Sequence, residues 1–196
     1  MGKEINSEMH CKVFDNEIEC YPQIREAFLA ASDVRLFLID GQSMISHRLG
    51  LLCNLLDKKV AQIEKPVITI RTLLLSPQSQ SFINAEIAAK MNQDQRQIRR
   101  NIEFAIQNLS EEAKQYQGTR LKISFQLYDE MPIWKLLILD DVAFVRAFAQ
   151  PEGFIRTNMP MYRFQKAGAS LFQTFVKYFD YVWDYKSSKV EVFNQE

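Results

Sequence analysis

Only three cysteines, Cys11, Cys20 and Cys53, occur in the 196 residues. An odd, sparse set without CxxC spacing offers no disulfide framework and fits a reducing compartment. A zinc site from His10, Cys11, Cys20 and His47 would have spacings that match no familiar ligand pattern. Glycine and proline are scarce at six each, which excludes a collagen-like or loop-dominated chain. No run approaches the ~18 consecutive apolar residues of a membrane span. The first twenty residues carry acidic side chains where a signal peptide needs an apolar stretch. Met1-Gly2 is not followed by the Ser or Thr of a myristoylation pattern. The expected location is the cytoplasm, with no membrane partner. Excess charge is missing too: 24 basic and 24 acidic residues give a net charge of +0. Bulk electrostatics therefore give no reason to expect a nucleic-acid partner. Walker A, GxGxxG, GxSxG, HExxH and zinc-ribbon patterns are all absent.

What is present is ordinary globular composition, 47% hydrophobic and 24% charged. A chain of this length can bury a core without staples. Residues 21–31 read as a helix with Pro22 in its first turn and Ile24, Phe28 and Leu29 on one face. Residues 34–39 (VRLFLI) form a continuous apolar run of strand length, the mark of a strand covered on both sides. Asp40, Gly41, Gln42 and Ser43 read as a turn, and Leu49, Leu52, Leu55 and Leu56 mark a helix to about Lys65. A second buried strand spans 67–75. A long helical stretch follows from about Ser79 to Gln117, with a polar centre (NQDQRQ) that permits a break, and Gly118 closes it. Residues 120–128 alternate as a half-exposed strand. Residues 133–139 and 142–148 predict a hairpin turning at Asp140-Asp141. Residues 149–168 look irregular, and 169–185 form an amphipathic helix carrying Phe172, Phe175, Phe179 and Trp183.

This order predicts a single layered α/β domain over residues 19–188, with an arm at 1–18 and a tail at 189–196. The expected sheet is mixed and mostly parallel, flanked by helices. Ligands of such sheets sit beyond the carboxyl ends of the strands. Here those ends are Asp40–Ser43, Ser76–Gln78 and Tyr128–Glu130.

One motif carries chemistry. In the hairpin's first strand Lys135 is followed, after four residues, by Asp140, and Ile133 stands two residues before Lys135. This resembles the His-x-Lys-x4-Asp motif of the phospholipase D superfamily. The element order and the aromatic C-terminal helix also resemble single-unit bacterial domains of that family, over residues 20–188. The resemblance implies a strand whose His and Lys point together into the site, the His attacking phosphorus and the Lys holding phosphate oxygens. It also implies a homodimer that pairs two motifs. Ile133 occupies the nucleophile's position, and a hydrocarbon side chain cannot attack phosphorus. Ala147 to Gln150 replace the Gly-Ser-type segment that should follow the Asp.

The expectation is thus a degenerate phospholipase D-like domain, not an enzyme of that mechanism, serving in ligand binding, sensing or assembly. Lys135, Asp140, Gly41, Gln42 and Ser43 are the candidate ligand residues, for a phosphate-containing small molecule. No cofactor or metal is called for, and a homodimer or protein partner is expected. The alternative is a phosphodiesterase, nuclease, other hydrolase or transferase acting on a phosphorylated or nucleotide substrate. The remaining features have simpler uses. His47 reads as a capping or surface residue. Asp129, Glu130, Asp140 and Asp141 read as solvated turn acids, and Arg96, Arg99 and Arg100 as partners in intrahelical ion pairs.

Overall fold

The structure is a computed structural model, and it describes residues 11–45, 53–62, 67–79, 94–148, 159–167 and 171–189. One eight-stranded sheet organises them, in the order β1-β7-β6-β5-β2-β3-β4-β8. In chain order the elements are β1 (Cys11–Phe14), α1 (Glu17–Ala30), β2 (Asp33–Leu38), α2 (Gln42–Ile45) and a 3-10 turn (Cys53–Leu55). Next come α3 (Leu56–Gln62), β3 (Ile68–Leu75), α4 (Gln95–Gln115), β4 (Leu121–Tyr128), β5 (Trp134–Leu139) and β6 (Val142–Ala147). Last are β7 (Met161–Gln165), α5 (Leu171–Tyr181), a π-helical turn (Val182–Lys186) and β8 (Ser187–Lys189).

The sheet is mixed but not mostly parallel. Among the described residues only β2–β3 and β3–β4 pair parallel, and the other five pairings are antiparallel. The reason lies in the connections. β2, β3 and β4 are separated by helix-bearing crossovers, which parallel pairing requires. β5 instead enters beside β2 in the opposite sense and turns back at once through Asp140-Asp141. Two strands escaped the sequence reading. β7 lies inside the stretch read as irregular, and β8 follows the last helix.

Helix α1 starts four residues before the expected boundary. Asn16 caps it, its side chain accepting from the Glu19 N–H at 3.1 Å. Pro22 therefore lies in the second turn, where the carbonyl it cannot bond belongs to exposed Ile18. Asp94, in the polar stretch read as a break, caps α4 through the Arg96 N–H at 2.8 Å. The expected helix over 80–93 lies outside the described residues, as do His10, His47 and the segment from Ser46 to Leu52. Gly118 follows α4 with φ +81, the left-handed conformation predicted for it.

Both faces of the sheet are covered. On one, α1, α3 and most of α4 bury Val34, Leu36, Ile70, Leu74, Leu137 and Phe144. On the other, α5 buries Phe37, Leu73, Leu136, Ile138 and Val145 under Phe172, Phe175 and Phe179. Arg35 ties α5 down, donating to Asp180 at 2.8–2.9 Å and to Asp33 at 2.8–3.0 Å. The side chains of β5 sort as alternation demands, Lys135, Leu137 and Leu139 toward α1, and Trp134, Leu136 and Ile138 toward α5.

Candidate functional site

The carboxyl ends of β2, β3 and β4 gather at one end of the sheet, and Lys135 reaches that end because β5 runs antiparallel to β2. The hairpin register sets Lys135 directly opposite Arg146 on β6. Both point toward α1, so two cations share one face at cross-strand distance, an arrangement that repels unless a carboxylate joins it. Glu17, the first residue of α1, supplies one. Its Oε1 accepts from Lys135 Nζ at 2.5 Å, and its Oε2 lies 2.8 Å from Arg146. All three side chains are nearly buried, with 10–12% exposure. Glu17 also sits at a helix N-terminus, where the macrodipole favours an anion.

Burial pulls the Lys135 pKa below the ordinary lysine value, and Arg146 adds to that. Glu17 and, more weakly, Asp40 act in the opposite sense. Asp40 is buried at the end of β2, where Asn101 of α4 donates to it at 3.4 Å. Next to it Gly41 adopts φ +63 and its carbonyl accepts from the Met44 and Ile45 N–H groups. A Cβ on Gly41 would stand 2.7 Å from Ile45 Cδ1 and 3.1 Å from Ala105 Cβ, so a side chain there would add crowding to the strain of the positive φ. Gln42 and Ser43 open the four-residue α2.

The space left among Leu38, Ile39, Asp40, Gly41, Lys135 and Arg146 is about 20 Å³. That holds roughly one water. The sequence-named residues Lys135 and Gly41 are thus brought together, and Lys135 is in direct contact with Glu17. Ile133 precedes β5 and is half exposed.

Asp140 is not part of this end. Five residues along a strand, at ~3.3 Å each, separate it from Lys135 by roughly 16 Å. It turns the hairpin with φ 49, and its carboxylate accepts from the Ser32 N–H at 3.0 Å and the Asp33 N–H at 2.7 Å. Its own N–H donates to the Asp33 carbonyl. These bonds pin the hairpin to the start of β2, which is a structural task. The acidic group of the sequence is divided as well. Asp129 and Glu130 follow β4 at the Lys135 end, whereas Asp140 and Asp141 lie at the other. No cluster of metal-ligating residues occurs among the described residues.

A larger hollow of about 400 Å³ opens near Asp140, between Ser32, Asp33, Arg35, Asp141, Lys166 and Phe172. Its cations are committed to carboxylates, Arg35 to Asp33 and Asp180, and Lys166 to Asp141 at 2.9 Å. Cys20, on the buried face of α1, has its thiol pKa pushed up to about 12, first by burial and then by Glu17 and Glu19. It is held as an unreactive thiol. No helix among the described residues is long and apolar enough to cross a membrane.

Glu17 carried no sequence signal, because the sequence reading put it in the arm of residues 1–18, ahead of the expected helix. Arg146 did carry one. A two-residue turn at Asp140-Asp141 fixes the register and sets it opposite Lys135.

No family model matches the chain, and no curated protein matches it. Among solved structures it is similar to TrmBL2, an archaeal chromatin protein described as showing a novel mode of DNA binding. The TM-score is 0.51 at 14% identity, over 93% of this chain and 56% of that one. The chain therefore spans little more than half of that protein, and the likeness is one of fold. It is also matched to Nuc, a phospholipase D family member from Salmonella typhimurium, with a TM-score of 0.47 and 12% identity over 92% of this chain and 99% of that one.

Proposed function

We propose that the chain is a catalytically silent, phospholipase D-like domain that serves as a binding, sensing or assembly module. The observation that carries this reading is the Glu17–Lys135–Arg146 cluster. A phosphoryl-transfer site needs a nucleophile beside cations free to hold phosphate oxygens. Here the nucleophile's position is Ile133, and the two cations are engaged by a carboxylate of their own chain. The adjoining space admits a water but not a phosphate group. The spacing of Lys135 and Asp140, the element order and the aromatic last helix support the family assignment.

Lys135, Gly41, Gln42 and Ser43 remain the residues through which a phosphate-bearing ligand would be held, and such a ligand would have to displace Glu17. Asp140 contributes to that site only by fixing the hairpin. DNA binding, described for the chromatin protein, draws no support from this chain's balanced charge. Hydrolysis assays on bis-p-nitrophenyl phosphate, phospholipid and nucleic acid should give no rate above buffer. A rate that survives purification and is lost in Lys135→Met would refute the reading. Salt-sensitive phosphate binding that Lys135→Met abolishes would establish the ligand site, and its absence in both proteins would leave assembly as the function.

A further inference from the structure

Helix α4 turns a long face to solvent, and the charges on that face are not paired within the helix. The sequence predicts intrahelical ion pairs for Arg96, Arg99 and Arg100. None of the three meets a carboxylate among the described residues, and Arg100 donates instead to Gln97 Oε1 at 3.0 Å. Glu111 accepts from Gln107 Nε2 at 2.9 Å and makes no ion pair among the described residues. Beyond the cap Asp94, the first turn of α4 holds no acidic residue. The arginines therefore sit at the positive end of the helix macrodipole, which disfavours them.

Phe104 lies near the middle of α4 and is 50% exposed. A turn takes 3.6 residues, so Arg100, Phe104, Gln107 and Glu111 share a strip about 60° wide, and all four are exposed. The buried row of Ile98, Ile102, Ala105 and Leu109 lies on the other side of the helix. Along the exposed strip the signs are ordered, arginine before Phe104 and glutamate after it.

A twofold rotation about an axis through Phe104, perpendicular to the helix, sets a second α4 antiparallel to the first. Glu111, seven residues after Phe104, then comes against position 97, seven residues before it, which Arg96 and Arg100 flank. The two Phe104 rings meet on the axis, where an aromatic anchor contributes most. The second copy also brings the negative end of its helix beside the arginines. A purely acidic partner would match the arginines but repel Glu111, whereas a second copy satisfies both signs and covers the ring. A twofold contact requires such a self-complementary patch. We propose that α4 is a self-association surface whose occupant is α4 of a second copy, with Phe104 against Phe104 and Glu111 of each copy beside Arg96 and Arg100 of the other. A helix of 21 residues is about 31 Å long and about 10 Å across. The contact therefore stays below the ~1,200 Å² of standard interfaces, and the dimer is weak and reversible. This association does not involve Lys135 and is independent of the phosphate reading.

Sedimentation equilibrium of the full chain at increasing concentration tests this. The average mass should rise from the 22.9 kDa of one chain toward twice that value. Phe104→Ser and Glu111→Lys should each weaken the association at least tenfold, and added salt should weaken it too. Arg96→Glu with Arg100→Glu should do the same, and adding Glu111→Lys to that pair should restore it. These side chains are exposed, so thermal melts of the variants should match the parent's. A disulfide between copies gives an independent readout. Phe104→Cys should cross-link on air oxidation above the background set by the parent's own cysteines. Lys114→Cys should not, because its two copies would lie about 30 Å apart and a disulfide joins Cα atoms only about 4.4–6.8 Å apart. A mass of one chain at every concentration overturns the proposal. Association that Phe104→Ser and Glu111→Lys leave unchanged would place the contact elsewhere and overturn it equally.

Discussion

Glutamine in place of Glu17 keeps the shape of the side chain and removes its charge. Lys135 and Arg146 would then face each other across β5 and β6, nearly buried, without the carboxylate that bridges them. Removing one partner from a buried ionic cluster costs about 3–5 kcal/mol, because the charges that remain lose its compensation. At ~2–4 °C per kcal/mol for a domain of this size, the melting temperature should fall by roughly 6–20 °C. Lys135 has an escape, which gives the prediction a pH signature. Burial already holds its pKa below 10.5, and Glu17 pulls the other way. Without Glu17 the value drops further, so Lys135 gives up its proton at a lower pH than in the parent. Between the folded value and 10.5 the unfolded chain binds more protons than the folded one, so stability rises with pH across that window. The variant's window extends to lower pH, and its defect should shrink as pH is raised toward 10.5. Denaturant melts of both proteins at neutral and alkaline pH measure this. A variant as stable as the parent at neutral pH, or a defect that grows with pH, would refute the role given to Glu17.

Ending the chain at Gly168 removes Phe172, Phe175, Phe179 and Val182, all buried. At about 1.5–3 kcal/mol each they outweigh most of a typical ~5–15 kcal/mol stability, so circular dichroism should show no cooperative melt. Gly41→Ala and Gly118→Ala both meet a positive φ, a strain of about 1–2 kcal/mol, but only the first also meets Ile45 and Ala105. Gly41→Ala should therefore lower the urea midpoint clearly more than Gly118→Ala. Asp140→Asn tolerates φ 49 and keeps part of the bonding to Ser32 and Asp33, whereas Asp140→Ala loses both. The alanine variant should be less stable by about 1–3 kcal/mol. Cys20, with its pKa near 12 and its side chain buried, should resist iodoacetamide near neutral pH until the protein is unfolded.

The parts of the fold that were legible are those written in local pattern. The apolar runs of β2 and β3, the alternation of β4 and the Asp140-Asp141 turn are each contained within a dozen residues. The strand directions were not, because direction is a property of connections. β5 follows β4 after a short polar link and could have entered on either side of the parallel strands. It lies beside β2, on the far side of β3 from β4, and that choice depends on burying Leu136 under α5 and Leu137 under α1 together. β7 was missed because Met161–Gln165 shows mixed burial, with only Met161 fully buried. It is held by β6 and β1 on either side rather than by an apolar stripe. β8 has no apolar residue at all and exists through its ladder with β4.

The same distinction governs the candidate site. Lys135 and Asp140 lie close in sequence and invite a shared role, yet a strand holds residues five apart at its two ends. Asp140 serves the hairpin there, and Lys135 meets a glutamate 118 positions earlier. A buried lysine opposite a buried arginine requires an anion. An enzyme would leave that requirement to its substrate. In this chain Glu17, in the first turn of α1, meets it and joins α1 to the β5–β6 hairpin. On the reading proposed above, the position of Glu17 argues against phosphodiesterase chemistry more strongly than the hydrocarbon side chain at Ile133 does. On that reading, Ile133→His should yield no hydrolysis of bis-p-nitrophenyl phosphate while Glu17 is in place.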